Sequence, residues 1–242
     1  MLDVVVNGFW GTREESPQSI AERWCTTLAE LERIDAGSFH DWHEAGDGTP
    51  SDPLLIPAVP ALTEYIERQS TGPDLDVVGY GTSLWAHNRD RAKVSSAVHA
   101  GGSSPYVTNS AVLSFRSGVV DETAEVIRRA PEILRVVAQA WDIDFGQVYN
   151  RSQYRAVSAH FDLANSAPRC GRAVHLSARR AGIAPDGLPG TYTRTADGGL
   201  IIDLTRGGTE SPSDETVIEV NRELRSAGAL EPLAVPFDRP TW

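Results

Sequence analysis

Residues 2 to 31 read Leu2-Asp-Val-Val-Val-Asn-Gly-Phe-Trp-Gly11-Thr-Arg-Glu-Glu-Ser16-Pro-Gln-Ser-Ile20-Ala-Glu-Arg-Trp-Cys25-Thr-Thr-Leu-Ala-Glu-Leu31. The β-branched run Leu2 to Val6 predicts a strand, and Gly8 and Gly11 bracket the pair Phe9-Trp10 in a predicted turn. Ser16 is placed to cap a helix whose first residue, Pro17, needs no N–H partner. Ile20, Ala21, Trp24, Cys25, Leu28 and Leu31 then recur at helical spacing and define one buried face, leaving Glu22, Glu30 and Arg33 towards solvent.

Working outward, Asp35 to Pro60 is rich in Gly, Pro, Asp and His and predicts a long loop, with one short helical turn around Phe39 to Glu44. Pro60 to Arg68 predicts a second helix. Three strands, 76–87, 93–100 and 110–116, follow as an antiparallel meander. From Asp121 the spacing of Val126, Ala130, Ile133, Leu134, Val137 and Trp141 predicts a helix, and Pro131 inside it predicts a kink or two abutting helices. Gln147 to Tyr149 and Ala173 to Leu176 read as strands around a helical piece at Gln153 to His160. Thr191 to Thr195 and Leu200 to Leu204 flank the turn Asp197-Gly198-Gly199 as a hairpin, and Ser213 caps a last helix carrying Val217, Val220 and Leu224, with Gly228 at its end. Strands and helices alternate without a repeat or a βαβ rhythm. This predicts α+β: a single domain, residues 1–242, with a mainly antiparallel sheet packed by several helices.

Composition narrows the function classes. The chain has a net charge of −11, and up to Asp52 eleven acidic residues face only Arg13, Arg23 and Arg33, so most of the excess sits in the first fifth of the sequence. Binding to nucleic acid or an anionic membrane needs clustered Lys or Arg, and Lys93 is the only lysine. A localised acidic field instead steers a basic partner. No apolar run approaches the ~20 residues needed to cross a bilayer and the N-terminus lacks a basic leader followed by an apolar run, so a cytoplasmic location is expected. Cys25 and Cys170 are then expected as free thiols.

Candidate chemistry is sparse. His40-Asp41-Trp42-His43-Glu44 is the densest set of possible metal ligands, yet no third or fourth ligand is suggested by spacing, and loop polarity is the ordinary reading. Gly79-Tyr80-Gly81-Thr82-Ser83 and Gly101-Gly102-Ser103-Ser104 lack the lysine of a phosphate loop and the third glycine of a dinucleotide fingerprint. No Gly-x-Ser-x-Gly elbow is present. Neither catalytic residues nor a metal or cofactor site is therefore predicted. Trp10 and Trp42 fit either the core or an interface anchor. Helix placement accounts for Glu14 and Glu15, which precede a helix N-terminus, but not for Asp41, Glu44, Asp47 and Asp52. Trp10, Glu14, Glu15, Asp41, Trp42, Glu44 and Asp47 are accordingly the candidate partner-binding residues.

Phe9-Trp10-Gly11, Arg13, Glu15-Ser16, Ala21-Glu22-Arg23, Leu28, Leu31, Ile34-Asp35, Phe39 and Trp42 together resemble the opening of the immunity protein 52 family of bacterial polymorphic toxin systems. Weaker agreement continues through Trp141-Asp142, the strand near Val174 and Gly198-Gly199-Leu200-Ile201. The pattern departs at Ala36, where proline is expected, and in an extended segment from Ala45 to Pro60. The resemblance implies a non-catalytic cytoplasmic inhibitor of a cognate toxin domain, a nuclease of restriction-endonuclease-like class whose basic active-site region it would occlude. A metal-dependent hydrolase built on His40 and His43, and a non-catalytic adaptor module, are the alternatives.

Overall fold

A computed structural model describes residues 2–87, 92–117, 120–164 and 167–233. Its described elements are β1 (Leu2–Trp10), α1 (Pro17–Ile34), β2 (His43–Glu44), α2 (Val59–Gln69), α3 (Leu75–Val78), β3 (Tyr80–Ala86), β4 (Lys93–Ala100), β5 (Asn109–Ser117), α4 (Val120–Trp141), β6 (Phe145–Asn150), α5 (Arg151–Phe161), β7 (Ala173–Leu176), α6 (Ala178–Ala181), β8 (Thr191–Arg194), β9 (Leu200–Asp203) and α7 (Asp214–Ser226). The strands form one nine-stranded sheet in the order β2-β3-β4-β5-β1-β6-β7-β9-β8. Every pairing is antiparallel. The α+β class is thus observed, with the N-terminal strand at the centre of the sheet.

The α1 prediction holds closely. The Ser16 hydroxyl accepts from the Ser19 N–H, Pro17 opens the helix, and Ile20, Ala21, Trp24, Leu28 and Leu31 are buried. Cys25 is only half-buried, its thiol donating to the Pro57 carbonyl at 3.2 Å. Trp24 reaches the sheet, its indole N–H donating to Ser96 Oγ at 2.9 Å. α1, α2 and α4 cover one face of β1, β3, β4 and β5 and share a core that includes Val4, Val6, Leu113, Phe115, Ile133 and Trp141. α5 and α7 cover the opposite face of the sheet's other half, over Val174, Leu176, Leu200 and Ile202.

Four expectations are corrected. β1 runs on to Trp10, because Gly8 is a strand residue rather than a turn residue. A Cβ on Gly8 would lie 2.7 Å from Ile143 Cδ1, and the same atom lies 2.7 Å from a Cβ placed on its register partner Gly146. The two glycines let the end of α4 sit directly on the sheet. Phe39 to Glu44 is not a helical turn: His43 and Glu44 pair with Trp85 and Leu84 at the sheet edge. The strand expected over 76–87 begins only at Tyr80, after the single helical turn α3. α4 is one helix through Pro131 rather than two abutting ones. Val126, expected on its buried face, lies outside the residues whose side chains are described.

His175 on β7 is fully buried and, among the described residues, neither ring nitrogen has a hydrogen-bond partner. Burial lowers its pKa to about 4, against smaller opposing effects of Asp197 and Asp144. The unfolded chain takes up this proton near pH 6.5 and the folded one does not, so stability should fall from about pH 6.5 and level off below about pH 4, by roughly 3 kcal/mol for this group. Urea titrations between pH 7 and pH 4 compare the protein with His175→Leu. The variant should lose less stability over that range, and identical slopes would show that His175 does not titrate this way.

Candidate functional site

The sheet has an uncovered side. Residues on the helix-packed face of β3, β4 and β5 alternate with residues on the other face, and across the register Trp85, Ser95, Ser114, Val5 and Tyr149 form one row. Ser83, Ala97 and Val112 form the next row on the same side. Among the described residues no helix lies over these small side chains at β3, β4 and β5, an arrangement open to antiparallel but not to parallel sheets.

One rim of this face is the segment 41–54, and its fold centres on Trp85. His43 stacks on the Trp85 ring at 4.6 Å and 16°, while the Lys93 ammonium lies 4.4 Å from the ring centroid. The Trp85 indole N–H donates to Asp52 Oδ2 at 2.9 Å, and the Gly48 N–H donates to the same oxygen at 2.8 Å. Partial desolvation opposes the charge, but the donors Gly48, Trp85, Asp47 and Thr49 outweigh it and hold the Asp52 carboxyl below its ordinary range. Lys93 Nζ donates to the Gly48 carbonyl at 3.0 Å, and the Ala45 N–H to the Tyr65 hydroxyl at 3.0 Å. Glu44 pairs with Arg68 of α2. The loop is therefore tied down at both ends while the Asp41 and Asp47 side chains remain exposed. Asp52, Trp85 and Lys93 were not among the candidates; an aspartate preceding Pro53 in a turn-rich segment was the available signal for the first, and only the register reveals the other two.

The seven candidates do not converge. Trp10 is fully buried, stacked on Trp141 at 5.5 Å, and Trp42 retains 2 % of its surface inside the same core. Both take the core role, because the strand and the sheet edge turn these rings inwards. Glu15 is buried too, receiving Arg13 Nε at 3.0 Å and Arg23 Nε at 2.5 Å. Those two guanidiniums also donate to the Trp141 and Ala140 carbonyls, each at 2.9 Å, so the group clamps α1 to the C-terminal end of α4, where carbonyls attract positive charge. The stretch Phe9 to Ser16 is thus largely structural. Glu14 is exposed, but it bridges Gly101 beyond the end of β4, whereas the acidic loop meets Lys93 at its start, about 23 Å away at the usual rise per strand residue. Asp41, Glu44 and Asp47 share one loop, but Glu44, opposite Leu84 in the register, turns to the helix-packed side and pairs with Arg68, and Asp41 lines a hollow against α1 with Cys25 and Glu32.

His40 lies 3.4 Å from Asp41, and His43 Nδ1 lies 2.9 Å from the Asp52 carbonyl oxygen. With no helical turn between them the two imidazoles do not share a helix face. Among the described residues no group of three or more His, Cys, Asp or Glu is placed to hold a metal. Cys170 is buried, which pushes its thiol pKa far up and removes it as a nucleophile at neutral pH. Among the described residues no helix is long and apolar enough to cross a membrane.

The structure is similar to the Pseudomonas aeruginosa T6SS protein PA0821, at 10 % identity and a TM-score of 0.54, covering 97 % of this chain and 74 % of that one. At that identity the likeness is one of fold. A chain in the crystal structure of the toxic C-terminal tip of CdiA from Pseudomonas aeruginosa in complex with immune protein is matched at 12 % identity over 62 % of this chain and 88 % of that one. Its TM-score of 0.31 is too low to carry an argument. No curated protein matches the sequence. The family model for immunity protein 52 matches residues 4–233, nearly the whole chain, and this protein belongs to that family.

Proposed function

We propose that this protein is a non-catalytic cytoplasmic inhibitor that binds a cognate toxin, a nuclease of restriction-endonuclease-like class, and blocks its basic substrate surface with the loop carrying the exposed Asp41 and Asp47. The supporting observation is the anchored loop: the exposed Asp41 and Asp47 carboxylates stand on a segment held in place by Trp85, Lys93 and Tyr65 and by the Glu44–Arg68 ion pair. A nuclease must present positive charge to phosphate, and a rigid acidic rim meets that charge without the ordering cost of a flexible tail. Long-range attraction of this kind acts mainly on the association rate.

Surface plasmon resonance against the cognate toxin domain, sought among the genes adjoining this one, tests the reading. Asp41→Lys together with Asp47→Lys should slow association by about tenfold at low salt and flatten its salt dependence. Thermal stability should stay near that of the parent, since exposed charges contribute ~0–1 kcal/mol each. A growth-rescue assay should follow the same order. Unchanged association and protection in the double variant would remove the acidic rim from the interface.

A further inference from the structure

The opposite rim of the open face carries a groove of about 860 Å³ between the sheet and α5. Val5 and Val112 form its floor, and Tyr149, Tyr154, Arg151 and Arg155 form its wall. The Tyr149 and Tyr154 rings lie 4.8 Å apart. Among the described residues no acidic side chain lines the groove, in a chain whose net charge is −11. Arg151 and Arg155 stand at i and i+4 on α5 and so rise from the same face of that helix. Arg116 is exposed two positions along β5 from Ser114 on the same face.

The groove does not close around a small molecule; its floor continues through Val5, Ser114 and Ser95 to Trp85, which anchors the acidic loop. From Tyr149 to Trp85 is four strand spacings, roughly 19 Å. A standard interface buries about 800 Å² per partner and readily spans that distance. Tyrosine and arginine are also the residue types enriched where interface energy concentrates. Of the acidic loop, the stretch from Asp47 to Asp52 lies over Trp85 on this same face, whereas Glu44, opposite Leu84 in the register, turns to the helix-packed side.

We propose that this groove binds an acidic segment of the cognate toxin, so that the toxin lies across the open sheet face with its basic surface towards Asp47 and a carboxylate-bearing segment against Arg151, Arg155 and the tyrosine pair. This rests on the toxin-binding reading above and adds a second, oppositely charged contact to it. Opposed charges at two points fix orientation as well as attraction, and they exclude partners that match only one rim.

The test uses the full chain and the cognate toxin domain used for the acidic-loop test, with equilibrium and kinetic binding measured for four variants. Arg151→Glu with Arg155→Glu should weaken binding by at least about tenfold, mostly through the off-rate, and Val112→Trp should do the same by filling the floor without a charge change. Arg206→Glu with Arg222→Glu alters net charge equally, away from the groove, and should stay within about twofold of the parent. If both groove variants bind like the parent while Asp41→Lys with Asp47→Lys does not, the groove is empty in the complex and the acidic-rim reading stands alone. If the parent itself fails to bind the toxin domain, both fall. Fluorescence anisotropy with a single-stranded oligothymidylate provides the last arm: binding by the parent that disappears in Arg151→Glu with Arg155→Glu would overturn the acidic-protein assignment in favour of a nucleic acid. Circular dichroism melts of each variant identify any that fail to fold, and Arg151→Gln with Arg155→Gln then replaces the reversal.

Discussion

Asp144→Ala is expected to lower folding stability by about 3–5 kcal/mol, the range for breaking a buried ion pair by removing one partner. Arg180 has no exposed side-chain surface and Asp144 1 %, with Arg180 Nη2 2.7 Å from Asp144 Oδ2 and Arg180 Nε donating to the same oxygen at 2.8 Å. Ser177 Oγ donates to the other carboxylate oxygen at 3.1 Å. Arg180 Nη1 also donates to the Ala229 and Glu231 carbonyls at 2.9 and 2.8 Å. One charge pair therefore joins the residue that precedes β6, the short helix α6 and the segment after α7. Truncating the aspartate leaves a guanidinium with no exposed surface and no counter-charge at that position. Urea unfolding followed by far-ultraviolet circular dichroism measures the loss, and a change below about 1 kcal/mol would mean that the pair is solvated. Replacing both partners with apolar residues, Asp144→Leu with Arg180→Met, should recover much of the difference, because the cost arises from the unpaired charge.

Trp24→Ala should cost a similar ~3–5 kcal/mol, the range for deleting a large buried aromatic ring. Trp24 is fully buried at the centre of the α1 face and its indole N–H satisfies Ser96, itself 3 % exposed. Trp24→Phe separates the contributions: it keeps most of the apolar contact and should cost less, mainly for the lost donor. Equilibrium denaturation of both variants checks the ordering. A Trp24→Ala protein with an unchanged midpoint would reverse the assignment of the α1 faces.

Features written in neighbouring residues were legible. The capping serines Ser16 and Ser213 both accept the N–H three residues on, and the α7 core positions Val217, Val220 and Leu224 are buried. The β8–β9 hairpin pairs around Asp197 to Gly199, Thr191 opposite Asp203 and Arg194 opposite Leu200. These depend on helical or two-residue periodicity and on turn chemistry, which act over a few positions. Gly8 was misread because its purpose is the approach of Ile143, far along the chain, and glycine in isolation looks like a turn. His43 and Glu44 were misread for the same reason, since a two-residue edge strand exists only through its partners Trp85 and Leu84.

The candidate site was legible in charge but not in position. Eleven carboxylates before residue 53 were visible by counting, yet three of them, Glu15, Glu44 and Asp52, are occupied within the fold by Arg13 and Arg23, by Arg68, and by Trp85 with Gly48. Arg151 and Arg155 carried a signal in their i, i+4 spacing, but without the sheet there was no groove for them to line.

By itself the sequence determined the antiparallel α+β class, the principal helices and their buried faces, the acidic excess of the N-terminal segment and the family resemblance. The tertiary structure alone decided that Trp10 and Trp42 are core, that Glu15 clamps α1 to α4, and that one side of β3, β4 and β5 is left uncovered between the loop over Trp85 and the groove beside α5. The physical reason is range. Capping, turn formation and periodicity are short-range properties of the chain, whereas burial and the meeting of charges depend on residues brought together from positions a hundred or more apart.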